Sequence, residues 1–151
     1  MQPTSRRFAN RVLEKPFTWT IRVYYEDTDT AGIVYYANYL KFFERARTEW
    51  LRSLGLEQQK IADELSLRFV ISRVACEFKL PAKLDDLIDI DVRVVRVGSA
   101  SMMFEQSARR GHAVLATARV RVGCIESSTL VPAPLPPQLR SALEKPPELH
   151  A

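Results

Sequence analysis

Only one stretch of this 151-residue chain carries a long helical stripe of apolar side chains, and segments of period-two alternation surround it. Tyr39, Phe43, Ala46, Trp50 and Leu54 recur at steps of three and four, the spacing of one face of an amphipathic helix. Asn38 reads as its N-cap, Gly55 as its C-terminal stop, and Arg45 with Glu49 as a charge pair one turn apart. Residues 38–54 then make a rod of about 25 Å at 1.5 Å per residue. Glu57 to Glu64 reads as a short second helix.

Strands are indicated elsewhere. From Phe17 to Tyr25 the residues Phe17, Trp19, Ile21, Val23 and Tyr25 share one face. Val70, Val74, Cys76, Phe78 and Leu80 share a parity. Ile88, Ile90, Val92 and Val94 alternate with Asp89, Asp91 and Arg93. Val114, Ala116, Ala118, Val120 and Val122 alternate with Leu115, Thr117, Arg119 and Arg121. A further strand, Ala100 to Arg109, lies between Gly98 and Gly111, and adjacent Val94 and Val95 break the alternation as a bulge would. The order strand, long helix, four strands predicts an α+β fold with a five-stranded antiparallel sheet around one long central helix.

One domain over residues 17–130 follows, since 46% apolar content suffices for a core at this length. Residues 1–16 read as a flexible basic tail carrying Arg6, Arg7, Arg11 and Lys15. Six of the nine prolines lie beyond Val131, so residues 131–151 are expected to be a Pro-rich tail outside the core.

The net charge of +4 is spread along the chain, which argues against nucleic acid and suits a phosphorylated small ligand. No apolar run reaches the roughly 18 residues of a membrane span, and no secretory leader is evident, so a cytoplasmic location is expected. Cys76 and Cys124 read as free thiols in a reducing compartment.

Chemistry narrows by elimination. His150 lies in the tail and His112 follows Gly111 at a turn, where a solvated residue is the simpler reading than a catalytic one. Gly32, Gly55, Gly98, Gly111 and Gly123 form no nucleophile elbow, dinucleotide fingerprint or phosphate loop, and no zinc motif is present, so neither metal nor cofactor is expected. A carboxylate is left to do any work. Glu26, Asp27 and Asp29 sit just ahead of the helix N-terminus, whose dipole favours a carboxylate or a developing oxyanion; they could equally solvate the loop and cap the helix. Gly32 permits a tight turn there. Glu44, on the helix, reads as a surface or subunit-interface partner for Arg47 or a second chain.

The run Arg22-Val23-Tyr24-Tyr25-Glu26-Asp27-Thr28-Asp29, then Gly32-Ile33-Val34-Tyr35-Tyr36-Ala37-Asn38-Tyr39-Leu40, then Phe43-Glu44-Arg45-Ala46-Arg47-Thr48-Glu49 resembles the hot-dog-fold thioesterase superfamily. The likeness is to its 4-hydroxybenzoyl-CoA thioesterase and Tol-Pal-associated acyl-CoA thioesterase branches, and in element order it extends from about Phe17 to about Leu130. The resemblance implies a sheet wrapped around the helix, dimers and often dimers of dimers, and active sites at the dimer interface. It implies hydrolysis of acyl-CoA or acyl carrier protein thioesters. Asp29 takes the position of the catalytic carboxylate and the Tyr36 backbone amide that of the group polarising the thioester carbonyl. Gly32, Val34 and Asn38 fall on substrate-binding positions, Asn38 and Tyr39 shape the start of the helix, and Arg96 is the candidate for the phosphates of CoA. The Tol-Pal-associated branch commonly has histidine where Tyr36 stands, whereas the hydroxybenzoyl branch has an aromatic. A phenol with a pKa of about 10 cannot replace an imidazole base near neutral pH. Two other readings remain: a non-catalytic acyl-thioester or protein-binding module, and a hot-dog dehydratase, which would need His112.

Overall fold

The computed structural model describes residues 16–144. Five strands form one antiparallel sheet: β1 (Phe17–Arg22), β2 (Leu67–Phe78), β3 (Leu87–Val97), β4 (Ser101–Arg110) and β5 (Ala113–Glu126), in the order β1-β3-β4-β5-β2. Alternation puts Ile88, Ile90 and Val92 of β3, Met102, Phe104 and Ala108 of β4, and Ala116, Ala118, Val120 and Val122 of β5 on one buried face. Asp89, Asp91, Arg93, Glu105 and Arg119 occupy the other. The expected bulge lies between Val94 and Arg96; the register also shifts between Ile71 and Arg73 and between Ala108 and Arg109.

Helix α1 (Asn38–Ser53) lies against this apolar face, burying Tyr39, Phe42, Phe43, Ala46 and Leu51, while Trp50 and Leu54 pack at the margin of the core. Apolar burial of this kind is the main stabilising term, and a polar tie adds orientation. Gln106 of β4, itself buried, donates from Nε2 to the Phe43 carbonyl at 3.0 Å and accepts from Arg47 Nη1 at 2.8 Å. Helix α2 (Gln58–Leu65) follows a Gly55 turn with φ +79°, a left-handed value that glycine adopts without steric penalty.

Several expectations change. Asn38 is the first helical residue, not the cap, and Glu49 pairs with Arg52 at 2.5 Å, not with Arg45. Strand β1 ends at Arg22, after which Tyr25–Asp27 form a 3-10 turn that leaves Tyr25 exposed. The parity assigned to β2 breaks at Ser72, so Phe69, Ile71, Val74, Cys76 and Phe78 face inward, as their β5 partners do. β2 is an edge strand, and Ile71, Val74 and Phe78 remain exposed in the single chain.

Residues 131–144 are not an excluded tail, and 145–151 lie outside the described residues. Ala133 N donates to Cys124 O at 2.9 Å, Leu135 N to Ser99 O at 3.0 Å, and helix α3 (Pro137–Glu144) buries Leu139 completely and Leu143 almost so. Its sequence signal is Leu135, Leu139 and Leu143 at steps of four, with Pro136 and Pro137 at the helix start, where proline is well suited to the first turn. The flexible N-terminal tail expected over residues 1–16 and His150 lie outside the described residues, apart from Pro16. Cys76 and Cys124 are both free. They occupy positions of β2 and β5 paired with Ala118 and Phe69, six steps apart along the ladder, or roughly 20 Å.

Candidate active site

The acid-rich segment between β1 and α1 folds into a small hairpin whose neck is closed by Asp27. Tyr35 N donates to Asp27 O at 3.0 Å, Asn38 Nδ2 donates to the same carbonyl at 2.9 Å, and the Asp27 carboxylate accepts from Tyr24 N at 2.8 Å. Asp27 is accordingly buried and serves as a tether. Nothing in an acidic run distinguishes such a residue from its exposed neighbours before the fold is known.

Above the neck, Thr28 pairs with Val34, Asp29 N donates to Ile33 O at 2.9 Å, and Gly32 N donates to Asp29 O at 3.0 Å. Gly32 has φ +77°, which makes glycine the residue of least strain at the tip. Asp29 is exposed, and its Oδ1 accepts from Ala31 N at 2.8 Å. That bond orients the carboxylate by an Asx turn and leaves Oδ2 without a protein partner among the described residues. The hairpin rests on the β2–β3 connection through Val34 N to Ala82 O at 2.9 Å and an Ile33–Lys83 bridge.

At the start of α1 the amides of Asn38, Tyr39 and Leu40 donate to Tyr35, Tyr36 and Ala37 carbonyls. The amides of Tyr36 and Ala37 donate to no group among the described residues, so they are the free donors of this N-terminus. The Tyr36 side chain is 59% exposed and its ring meets Phe78 of β2 edge-on at 5.9 Å.

Asp29, Gly32, Val34, Tyr36 and Asn38 thus share one hairpin and its exit. Val34 is a core residue and Asn38 points back to the Asp27 carbonyl. Arg96 is not part of this grouping. It lies near the far end of β3, nine residues from Leu87, or roughly 30 Å along the strand. His112 is exposed at the β4–β5 turn, and Glu44 accepts from Thr48 Oγ1 at 2.9 Å while Arg47 turns to Gln106. Burial pushes the Cys76 thiol up, against the opposing effect of Arg47. No group of three or more His, Cys, Asp and Glu side chains among the described residues could hold a metal ion, and no described helix is long and apolar enough to cross a membrane.

Sequence reasoning did not anticipate the clefts. One of about 220 Å³ lies between α1 and the sheet, lined by Trp50, Leu51, Phe69, Ile71, Met102 and Phe104 with Glu44 and Arg47 at its polar side. It borders the exposed β2 edge. A second, of about 670 Å³, lies on the polar sheet face and includes Asp91, Arg93, Glu105 and Arg119. Neither is lined by Asp29 or Tyr36, which sit at an open margin.

Comparison with known proteins bears on this arrangement. Residues 23–143 match the family model for the thioesterase-like superfamily. The chain is 42% identical over 131 residues to the acyl-CoA thioesterase YbgC of Haemophilus influenzae, covering 87% of this chain and 96% of that protein. Its fold superposes on a crystal structure titled "Probable Thioesterase" from Bartonella henselae with a TM-score of 0.78 at 36% identity, over 81% of this chain and all of the other. It also superposes on a 1,4-dihydroxy-2-naphthoyl-CoA thioesterase from Synechocystis with a TM-score of 0.79 at 25% identity, over 85% and 96% of the two chains.

Proposed function

The chain belongs to the thioesterase-like superfamily, and from that premise we propose that it is an acyl-CoA thioesterase whose Asp29 carboxylate and Tyr36 amide carry out the hydrolysis. The observation that carries this reading is the pairing, on one hairpin and its exit, of an oriented exposed carboxylate with free backbone donors at a helix N-terminus.

The thioester carbonyl oxygen accepts a hydrogen bond from the Tyr36 amide, where the α1 dipole favours the charge that grows on that oxygen. Asp29 removes a proton from water as the water oxygen bonds to the acyl carbon. The carbon–sulfur bond then breaks, the electron pair leaves on sulfur, and the products are a free acid and a thiol. In the direct variant the Asp29 oxygen attacks first and water cleaves the resulting anhydride. Either route needs an ionised carboxylate, and a thiol with a pKa of about 8.5 leaves without a strong general acid. No histidine is required, which accords with the exposed position of His112 and speaks against a dehydratase.

The open margin around Tyr36 fits a homodimer in which a second copy covers the β2 edge, since Ile71, Val74 and Phe78 there would otherwise stay exposed. The apolar inner face of β2, running from Phe78 to the 220 Å³ cleft, supplies the wall an acyl group needs. A chain that sediments as a monomer at working concentration would remove this element of the reading. Two free thiols accord with a reducing cytoplasm.

The test is thiol release from aliphatic and aromatic acyl-CoAs by the native chain and by Asp29→Asn, which keeps size and removes charge. General-base loss predicts a drop of about 10²- to 10⁴-fold with an unchanged melting profile. Retention of more than about a tenth of native activity, a change of only about 1.4 kcal/mol, removes Asp29 from the mechanism. A folded protein silent on the whole panel favours a non-catalytic acyl-thioester-binding module.

A further inference from the structure

The acid-rich hairpin and the apolar cleft beside α1 open on the same face of the sheet, and the Arg47 guanidinium stands between them. Across β3, β4, β5 and β2 the register builds that face from rows about 7 Å apart. The first row ends in Phe78, whose ring meets that of Tyr36 at 5.9 Å. Val92, Gln106, Ala118 and Cys76 make the second. The third carries Phe104, and the fourth Met102, Val122 and Ile71, all of which line the cleft of about 220 Å³.

Arg47 reaches the sheet from α1 at the second row. Its Nη1 donates to Gln106 Oε1 at 2.8 Å, and Gln106 is pinned in turn by its own donation to the Phe43 carbonyl at 3.0 Å. At the β2 end of the row Cys76 feels the same guanidinium, which opposes the upward push of burial on its thiol. The cation is half-buried and has no ion-paired carboxylate among the described residues. Glu44, one turn back on α1, accepts from Thr48 Oγ1. The other side chains that β2 presents along this line, Phe78, Val74 and Ile71, are apolar.

A fixed charge in such a place acts on whatever is laid against the wall. An alkyl chain running along β2 from the hairpin is favoured by each methylene it buries. To pass the second row it must strip the remaining water from the guanidinium, and a hydrocarbon offers no anion or acceptor in return. Burial already lowers the Arg47 pKa, so little hydration is left to lose before the cost rises. With the acyl carbonyl at the Tyr36 amide, the ring contact to Phe78 and one row of the sheet amount to about 13 Å. At about 1.25 Å per carbon, from a C–C bond of about 1.5 Å, that distance is about ten carbons.

We propose that Arg47, held by Gln106, is a specificity-determining residue that ends the acyl path at the second row and bars it from the apolar cleft. The inference rests on the thioesterase reading and narrows its substrates to short and medium acyl groups, up to about ten carbons. The cleft beyond is apolar space that a longer chain would fill but does not reach while the cation is in place. Chain length is thus selected by a charge on the helix and not by a wall at the far end of the groove.

The experiment measures kcat/KM for octanoyl-CoA and hexadecanoyl-CoA, below their micellar concentrations, with the native chain and with Arg47→Met, which keeps length and removes charge. The native chain should favour octanoyl-CoA by at least about tenfold, and Arg47→Met should raise the ratio of hexadecanoyl to octanoyl by at least about tenfold. Phe69→Trp narrows the cleft beyond the second row; it should leave the native ratio as it is and cancel the gain when added to Arg47→Met. Arg47→Gln replaces Arg47→Met if the latter does not fold. Calorimetry with the thioethers S-octyl-CoA and S-hexadecyl-CoA reads the same selection by binding, without turnover. A native chain that hydrolyses both lengths equally overturns the proposal and leaves the hydrolytic reading intact. An unchanged ratio in the neutral variant, a gain that Phe69→Trp does not reduce, or binding of neither thioether also overturns it. Should no thioester be hydrolysed while the thioethers show the length selection and its loss on removing the charge, the role of Arg47 stands and the hydrolytic assignment falls.

Discussion

Asn38 Nδ2 donates to the Asp27 main-chain carbonyl at 2.9 Å, so the first residue of α1 is fastened to the neck of the hairpin that displays Asp29. Tyr35 N reaches the same oxygen. Helix start and carboxylate loop are therefore one rigid unit, and the free amides of Tyr36 and Ala37 keep a fixed place relative to it.

Asn38→Ala removes one of the two bonds to that carbonyl. A net loss of about 1 kcal/mol in urea unfolding is expected, as for a typical intramolecular hydrogen bond. Thioester hydrolysis should fall further than stability does, since the hairpin loosens against the helix. Equal activity in a measurably destabilised variant would mean that the tether does not position the site.

Tyr36 separates the roles of ring and amide. Tyr36→Phe keeps the amide and should leave kcat within a factor of about three. Tyr36→Pro deletes the amide hydrogen at a position just ahead of the helix, and kcat should drop by about 10²- to 10³-fold, the usual effect of losing one oxyanion donor. Circular dichroism must show α1 intact. A phenylalanine variant as impaired as the proline variant would shift the role to the phenol.

Leu139 of α3 is fully buried. Leu139→Ala should destabilise the chain by about 2 to 5 kcal/mol, the range for emptying a core leucine site. Thermal unfolding decides it: an unshifted midpoint would mean that α3 docks only loosely.

Acid should unfold the protein by a definable route. Burial alone would raise the Asp91 carboxyl, but hydrogen bonds from Arg109, Thr18 and Ser107 and the guanidinium charge hold it below the usual carboxylate range. Hydrogen bonds from Ser128 and Thr129 bring Glu126 down to about 2. An unfolded chain takes up these protons near 3.8 and 4.5, before the folded chain does. The stabilising contribution is present above about pH 5 and is lost as pH falls through the folded values. The melting midpoint should be level between about pH 7 and 5 and decline from about pH 4.5 toward 2. Asp91→Asn should flatten the decline, and a midpoint that stays level to pH 2 contradicts the assignment.

Much of this architecture is legible in the chain because it follows from local periodicity. The stripe from Tyr39 to Ala46 demands a helix with one buried face, the alternation of Ile88, Ile90 and Val92 demands a strand with one, and Gly32 marks the turn in the acidic run. Those signals depend on neighbours three or four, or two, residues away. A linear sequence displays them directly.

What only the tertiary structure decided are pairings between distant residues. That Asp27 is a buried tether while Asp29 stands exposed depends on which amides surround each carboxyl, not on residue type. That Leu135 and Leu139 enter the core depends on docking across Ser99 and Cys124, against the expectation set by nearby prolines. Arg96 aligns with Arg121 and Arg73 only through the register of four strands, including two bulges that each shift parity by one. Side-chain chemistry is local, but the partners that give it a role are brought together by burial of the whole apolar face, and that is a property of the assembled chain.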